Sequence, residues 1–335
     1  MFPIALLATV LSGCVQYRQS PLEVTPSALS VPDLAILRQD AASIERPYLR
    51  AVAVDFAQPL DGNAIAVVAI LANPELKALR QRAGIADAQV FAAGLLPDPT
   101  FSFGIDHVIS GPVAVDNIAS ALGLNLNALR TRSAVRAQTR ATARQVRLDL
   151  AWAEWQTAGQ ARVQAARVLG LQQTVELGTE SRDWSQSLLD RMLRAAGRGD
   201  LSPDQLQAAR LAAFDAADRL RVYERDLGTA RLELLRLMGL PPATQLRLSA
   251  SKLSSSIIDA DRLFTLASSA RLVLAALQAG YDAQEAVLRK AVLDQFPTLD
   301  LNLNAARDTG RNGLIGPGIA FTLPLWNRNR GGIAI

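Results

Sequence analysis

The segment Thr298–Asn304 reads TLDLNLN and decides the fold of this 335-residue chain. Three leucines fall on one face of an extended backbone, and Asp300, Asn302 and Asn304 fall on the other. Alternation with a period of two residues is the pattern of a β-strand. Because one face is apolar and the other polar, the segment predicts a strand that separates an apolar phase from a watery one.

Three further segments alternate in the same way, namely Thr100–Asp106 (TFSFGID), Leu122–Asn127 (LGLNLN) and Gly318–Leu323 (GIAFTL). A half-buried hairpin of a soluble protein also alternates. Here the apolar set is Leu, Ile and Phe, which suits lipid, and the polar set is small and hydrogen-bonding, which suits a water-filled lumen. The residues predicted to line this lumen are Ser102, Asp106, Asn125, Asn127, Asp300, Asn302 and Asn304.

The four strands form two pairs, bridged by the Gly-, Asp- and Asn-rich segments 107–120 and 305–317. Such loops are typical of the extracellular side of an outer-membrane protein. The smallest bacterial barrels need about eight strands, and an open sheet edge in lipid leaves backbone groups unpaired. The sequence therefore predicts a barrel that several chains share.

Two segments carry apolar residues with the 3-4 spacing of a heptad, which predicts helices packed as coiled coils. Their many alanines let neighbouring backbones approach closely. The first run is Leu76, Leu79, Ala83, Ala86, Val90 and Ala93. The second run is Leu206, Ala209, Ala213, Ala216, Leu220, Tyr223, Leu227, Ala230, Leu234 and Leu237.

Between the second strand and Ala196, a proline-free stretch predicts one helix of roughly 100 Å. Glycines inside it predict curvature or a local break, since each costs about 1 kcal/mol relative to alanine. They are Gly159, Gly170 and Gly178. The helix is expected to end at Gly197-Arg198-Gly199-Asp200, and Ser202 is a natural N-cap before Pro203. The second heptad run then returns antiparallel to complete a long hairpin.

The arrangement of helix, proline and two strands occurs twice. A shift of 198 residues carries Pro99-Thr100 onto Pro297-Thr298. The same shift carries the first heptad run onto Leu274, Leu277, Tyr281, Gln284, Leu288 and Ala291. A period near 200 residues is too long for a solenoid, so it indicates duplication of a half-molecule.

Composition argues against an enzyme and against nucleic-acid binding. The 35 basic and 31 acidic residues are interleaved, and no basic run stands out. Cys14 and His107 are the only residues of their types, so neither an internal disulfide nor a cysteine-based zinc site can form. No catalytic constellation, metal site or cofactor is predicted. Packing is the expected role of Trp152, Trp155 and Trp184.

Cys14 has a specific explanation in its position. It closes the apolar stretch Phe2–Gly13, and Leu11-Ser12-Gly13-Cys14 resembles the bacterial lipobox, which implies a signal peptide over residues 1–13 and acylation of Cys14, with palmitate among its acyl chains. A buried thiol is the alternative. The absence of Asp after Cys14 favours sorting to the outer membrane. The longest other apolar run, Ala64–Ala72, is far short of a membrane helix.

Five short motifs, taken in order, resemble the TolC-like outer-membrane efflux proteins. They are Asn73-Pro74-Glu75-Leu76, Leu96-Pro97-Asp98-Pro99-Thr100, Gly199-Asp200-Leu201-Ser202, Leu235-Arg236-Leu237-Met238-Gly239 and Leu323-Pro324-Leu325-Trp326-Asn327. The resemblance implies a mainly α protein with membrane β-strands. Each chain contributes a long antiparallel coiled-coil hairpin and four transmembrane strands to a trimeric α-barrel and β-barrel in outer-membrane lipid.

The family also implies partners. A homotrimer meets a periplasmic membrane-fusion adaptor and an inner-membrane efflux transporter, with the adaptor contacting the hairpin tip at Gly197, Gly199, Asp200 and Ser202. The implied organisation is a lipid-anchored extended arm over 14–62, a first repeat over 63–253 and the start of a second repeat over 254–335. The second hairpin of a full family member is not found in this sequence.

Other interpretations stay open at this stage. A coiled-coil scaffold or adaptor lipoprotein shares the anchor and heptads but does not predict four paired strands. A non-functional truncated remnant and a lipoprotein enzyme are further alternatives, and the enzyme lacks a catalytic constellation. Within the duct interpretation, the cargo can be drugs, metal ions or proteins, the last through type I secretion.

Overall fold

The computed structural model describes residues 34–46, 48–107, 109–110, 116–250, 259–307, 310 and 312–334. Within these ranges the chain forms eight helices and four strands. In chain order they are α1 (Leu34–Ser43), α2 (Gly62–Ala72), α3 (Pro74–Gly94), β1 (Thr100–Asp106), β2 (Asn117–Asn125), α4 (Leu126–Ala196), α5 (Pro203–Leu237), α6 (Ala260–Ala270), α7 (Leu272–Leu293), β3 (Leu299–Arg307), β4 (Gly313–Phe321) and α8 (Arg330–Ala334).

The main core surrounds α2, which is apolar on all sides and therefore must be buried on all sides. Asp61 caps its start by accepting a hydrogen bond from the Ala64 amide at 2.7 Å. Ile65, Val67 and Ile70 are at most 1% exposed. Side chains of α1, α4 and α5 pack around this helix. The core thus forms where the N-terminal region meets the base of the hairpin.

A tight joint connects α2, α3 and the end of α5. The Asn73 side chain accepts hydrogen bonds from the first amides of α3 and donates one to the Leu237 carbonyl at 3.0 Å. Gly239 ends α5 with φ +61°, and a Cβ there would overlap the Ala72 carbonyl. Two motifs that lie 164 residues apart in the sequence therefore meet at one contact.

Helices α4 and α5 form the long antiparallel hairpin that the sequence predicts. The buried positions of α5 include Ala209, Ala213, Leu220, Leu227 and Ala230, which confirms the heptad assignment. Of the predicted curvature or local break in the long helix, the break does not occur, since α4 runs through all three glycines for 71 residues. The aromatic ring of Tyr223 fits against Gly178, where a Cβ would lie 3.1 Å from the ring.

Helices α3 and α7 pack on opposite sides of the first half of α4. Arg147 of α4 pairs with Asp87 of α3, and Arg144 pairs with Asp282 of α7 at 2.7 Å. The heptad positions predicted for α3 are all buried or half-buried. Those predicted for α7 are wrong except Ala291, because Leu274, Leu277, Tyr281, Gln284 and Leu288 are exposed.

The buried face of α7 lies two residues further along the chain. It consists of alanines, namely Ala276, Ala279, Ala283, Ala286 and Ala291. Small side chains allow the close approach to α4, whereas the leucines would hold the two backbones apart. The two helices therefore correspond with a shift of about 200 residues, whereas the shift of 198 holds for the proline and for the strand that follows it.

The four strands form one antiparallel sheet in the order β1-β2-β3-β4. Strand β1 has the predicted bounds. Strand β2 begins and ends earlier than predicted, while β3 and β4 extend into the predicted loop, since Gly313–Pro317 pairs with Leu303–Arg307. The connections at this end of the sheet are therefore shorter than the sequence suggests.

Three further sequence predictions concern the N-terminal region and membrane helices. Cys14, the signal segment 1–13 and the residues up to 33 lie outside the described residues. The arm predicted to be extended contains helix α1 in its described part. By length and mean hydropathy alone, the stretch Ala260–Leu293 could cross a membrane as a helix. The extended backbone at Arg271 divides that stretch, and α7 carries four charged residues.

Candidate functional site: a two-faced sheet and its junction with the helices

The sheet has two faces of opposite polarity, and no other described element of the chain covers either of them. On one face, cross-strand rows run from Phe101 through Leu122 to Leu303, and from Leu124 through Leu301 to Ile319. The large apolar side chains of this face are all exposed: Phe101, Phe103, Ile105, Ile118, Leu122, Leu124, Leu299, Leu301, Leu303, Ile315, Ile319 and Phe321. Monomeric soluble proteins rarely expose a contiguous apolar surface of this kind.

The opposite face is small and polar over most of its length. Thr100, Gly123, Asn302 and Gly318 form one cross-strand row, and Asn304 lies in the next. A Cβ added at Gly123 would lie 2.8 Å from the Asn302 amide oxygen, and one at Gly318 would lie 2.7 Å from the Asn304 amide nitrogen. The glycines therefore let both amide side chains lie flat across neighbouring strands, which keeps this face smooth.

All the residues predicted to lie on the polar face, except Asn127, are strand residues, and each lies on that face of the sheet. Ser102 and Asn304 belong to one row, with Ala121 between them. The Asp106 carboxylate accepts a hydrogen bond from the side-chain amide of Asn117 at 3.4 Å, near the loop end of the sheet. Asp300, at the helical end, pairs in register with Asn125.

The prediction that Asn127 lies on a strand is wrong. Asn125 ends β2 because its side chain caps α4, accepting a hydrogen bond from the Ala128 amide at 2.8 Å. Asn127 therefore falls in the first turn of α4, where its amide oxygen accepts a hydrogen bond from Arg130 at 2.5 Å. The start of α4 at Leu126 therefore explains why Asn125 is an N-cap and why Asn127 is helical.

At the opposite end of α4, the hairpin tip is a defined turn. Gly197 caps α4, and Gly199 adopts φ +84°, a conformation that glycine tolerates best. The Asp200 amide donates to the Ala195 carbonyl at 3.0 Å, and its carboxylate accepts from Arg198 at 2.9 Å. Ser202 and Gln205 form a capping box at the start of α5, as the sequence predicts for Ser202. All four predicted tip residues thus lie together.

Two arginines near the start of α4 connect it to the ends of the flanking helices, and the sequence did not predict this role. Arg132 donates to the carbonyls of Gly94 and Leu95 at the end of α3. Arg130 donates to the Phe296 and Pro297 carbonyls just beyond α7, and its guanidinium lies 5.7 Å from the Phe296 ring centroid. Cationic groups at helix C-termini are stabilising. These contacts fix where each flanking helix gives way to a strand.

A buried ion cluster at the base was also missed. The Glu154 carboxylate of α4 is 1% exposed and accepts hydrogen bonds from Arg46 at 2.7 Å and Arg80 at 2.9 Å. Its hydrogen bond raises the pKa of Arg46. Beside it, burial and the Glu154 carboxylate raise the pKa of Tyr48. A lone glutamate amid alanines and tryptophans was the available signal, but its partners are 108 and 74 residues away.

The single histidine has an acidic neighbour at the loop end of the sheet. His107 lies beside Asp116 at 2.5 Å, and both are exposed at the loop end of the sheet. No cluster of three or more metal-ligating side chains occurs among the described residues. Trp152 and Trp155 stack with ring centroids 5.0 Å apart, while Trp184 is 64% exposed.

No protein-family model matches the chain, and no curated protein sequence matches it either. The two-faced sheet joined to a long helical hairpin is the fold of the TolC-like outer-membrane efflux channels, which confirms the resemblance predicted from the motifs. At the identities found, the likeness establishes the fold.

Three solved structures illustrate this likeness. The Campylobacter jejuni CmeC outer membrane channel aligns with a TM-score of 0.68 over 96% of this chain and 72% of its own, at 12% identity. A membrane protein from Pseudomonas aeruginosa gives 0.67 over 88% and 76%, at 16% identity. The outer membrane protein VceC of Vibrio cholerae gives 0.65 over 82% and 71%, at 15% identity.

Proposed function

We propose that this chain forms part of a passive outer-membrane exit duct of a tripartite efflux system. The observation that carries the proposal is the sheet, which exposes one apolar face and one smooth polar face and continues directly into a 71-residue helix. An apolar face suits lipid and a polar face suits a water-filled lumen. A scaffold lipoprotein would have no use for such a sheet.

Assembly of several copies follows from the edges of the sheet, and the resemblance to the TolC-like channels implies that the assembly is a homotrimer. Strands β1 and β4 each pair with one neighbour only, so each presents an unpaired edge within the described chain. Lipid cannot satisfy those backbone groups, so the edges must pair between copies. Three copies with four strands each would supply about twelve strands, above the roughly eight that the smallest barrels need.

The proposal assigns roles to the predicted site residues. Ser102, Asp106, Asp300, Asn302 and Asn304 would face the lumen. The hairpin tip at Gly197, Gly199, Asp200 and Ser202 would contact a periplasmic adaptor, which links the duct to an inner-membrane transporter. The transporter would select the cargo, because the described part of the polar face carries no cluster of charged groups that would bind a specific solute.

The trimer can be tested with cysteine pairs in the native background, because Cys14 is the only native cysteine and acylation blocks its thiol; the native protein, tested alongside, reports any disulfide through Cys14. Phe103→Cys on β1 is combined in turn with Ile315→Cys, Pro317→Cys or Ile319→Cys on β4, so that the unknown register between copies is covered. One pair is expected to give disulfide-linked trimers in outer-membrane fractions. Each single-cysteine variant, as the control, gives dimers at most. Membrane-inserted protein with no species above the dimer in any pair would contradict the proposal.

The lipid anchor at Cys14 is a separate part of the proposal. Acylation of this cysteine predicts that Cys14→Ala abolishes incorporation of radiolabelled palmitate in cells. The matched control is Ser12→Ala, which keeps a small residue before the cysteine and leaves the acceptor thiol in place, so its labelling should persist. Labelling that persists in Cys14→Ala would refute the anchor without affecting the trimer.

A further inference from the structure

We propose that the junction between the sheet and the helices is a binding belt for anionic phospholipids. The junction comprises residues 94–99, 126–132, 294–298 and 322–330, where both strand pairs enter and leave the helical body. The inference rests on the proposed function, because it requires the apolar face of the sheet to lie in a membrane. It adds the class of lipid and the residues that recognise it.

The junction exposes large apolar and aromatic side chains. Trp326 is 87% exposed, more than any other tryptophan in the described chain. Leu323 follows Ile319 and Phe321 at the same two-residue spacing and is exposed like them. The apolar surface of the sheet therefore extends into the junction. The other exposed apolar residues here are Leu95, Leu96, Phe296 and Leu325. Tryptophan next to an apolar band is typical of the membrane interface.

The charge of the junction is positive. It contains four arginines, namely Arg130, Arg132, Arg328 and Arg330, against Asp98 and Asp294. Lys290 pairs with Asp294 at 2.7 Å, so that carboxylate is already neutralised. No described carboxylate forms an ion pair with Arg328 or Arg330. Basic side chains beside an apolar surface attract anionic headgroups.

A fixed turn presents these two arginines. Arg328 and Asn329 have φ values of +43° and +51°, which is uncommon for residues other than glycine. The Asn329 side-chain amide donates to the Ala291 carbonyl of α7 at 2.9 Å, and Arg328 Nε donates to the Pro324 carbonyl at 3.3 Å. Held by both contacts, the turn keeps Trp326 and the exposed guanidinium groups at the edge of the apolar surface.

The position of Trp326 allows a direct test with brominated lipids, which quench tryptophan fluorescence on contact. The other three tryptophans are on α4, and Trp152, the first of them, lies roughly 39 Å along the helix from Leu126. Purified full-length protein is reconstituted in vesicles of phosphatidylcholine and phosphatidylglycerol in equal amounts. Either the phosphatidylcholine or the phosphatidylglycerol is brominated.

We expect brominated phosphatidylglycerol to quench about twofold more strongly than brominated phosphatidylcholine, because the arginines enrich the anionic lipid around Trp326. Arg328→Gln with Arg330→Gln should make the two lipids quench equally. Arg328→Lys with Arg330→Lys keeps the charge and should keep the preference. Arg221→Gln with Arg225→Gln, on the exposed face of the hairpin, is the matched control and should also keep it.

Two outcomes would overturn the inference, and they differ in what they say of the proposed function. Equal quenching by both lipids in the unmodified protein would exclude an anionic preference while still placing Trp326 in the membrane. Absence of quenching by either lipid would exclude the membrane position of the junction, and the cysteine-pair test of the sheet then shows whether the proposed function fails as well. Trp326→Phe must remove the quenching, since quenching that persists would come from another site.

Discussion

The helix α2 and the strand β1 are both rich in large apolar side chains, yet the chain treats them in opposite ways. Ile65, Val67 and Ile70 of α2 are fully enclosed by α1, α4 and α5. Phe101 and Phe103 of β1 are 71% and 60% exposed. The base of the molecule is therefore complete within one chain, whereas the sheet needs a surrounding apolar phase and neighbouring strands. This difference separates the part that folds by itself from the part that assembly and membrane complete.

The largest expected effect comes from the ion cluster of the base. Arg46→Met with Arg80→Met would leave the Glu154 carboxylate buried and unpaired, which should lower the free energy of unfolding by about 3–5 kcal/mol. Denaturant unfolding of the purified protein measures this change in the free energy of unfolding. Arg144→Met removes an exposed ion pair and should cost at most about 1 kcal/mol.

A third variant tests whether the unpaired charge causes this loss of stability. Replacing Glu154 by Leu in the double arginine variant removes the unpaired charge, so part of the lost stability should return. A double variant as stable as the native protein would show that the cluster does not hold the base together.

For the sheet, the expected cost depends on the membrane. Phe103→Arg or Leu301→Arg would place a charge in lipid, at about 2–4 kcal/mol near the midplane, and should reduce outer-membrane assembly. Asn302→Arg on the polar face is the matched control and should assemble normally. Heat-resistant oligomers in membrane fractions report the outcome. Equal assembly of all three variants would contradict the assignment of the two faces.

How much could be predicted from the sequence depends on whether a feature is set by neighbouring or by distant residues. The face on which a strand residue lies depends only on the alternation within its own segment. The bounds of β1 and the polar face of Ser102, Asn302 and Asn304 could therefore be predicted correctly. The heptads of α3 and α5 follow from local spacing for the same reason. The strand ends were less predictable, because Asn125 and Asn127 continue the alternation although capping starts α4 at Leu126.

Features that depend on distant partners could not be predicted. The predicted face of α7 is wrong because the shift of 198 residues that aligns the prolines also places the heptad run on α7, whereas close packing against α4 selects the alanines two residues further along. Glu154 gives no local sign that Arg46 and Arg80 will meet it. The role of Asn73 at the α5 end likewise emerges only when residues 164 positions apart come together.

Two glycines with positive φ allow a finer comparison, between the base and the hairpin tip. Gly239→Ala would force a Cβ against the Ala72 carbonyl as well as an unfavourable φ, and should cost more than about 2 kcal/mol. Gly199→Ala meets open space and should cost about 1–2 kcal/mol, from the backbone alone. Thermal unfolding of both variants gives the difference. Equal costs would mean that the joint between α2 and α5 relaxes easily.

The smallest expected effect is the pH dependence that Tyr48 contributes in the base. The Tyr48 hydroxyl is buried without a hydrogen-bond partner among the described residues, and burial together with the Glu154 carboxylate raises its pKa above the value of about 10 found in unfolded chains. Between the two pKa values, the unfolded state has lost a proton that the native state retains. The stabilising contribution is therefore fully present below about pH 10 and is lost as the pH rises through the native pKa.

Denaturant unfolding at several alkaline pH values tests whether the stability falls in this direction. Tyr48→Phe should lose less stability between neutral and alkaline pH than the native protein does, because the group that titrates is gone. Tyr223→Phe in the hairpin serves as the control and should keep the native pH dependence. If Tyr48→Phe and the native protein decline in parallel, the hydroxyl reaches water in the folded base, and the enclosure that distinguishes the base from the sheet is less complete at Tyr48 than at α2.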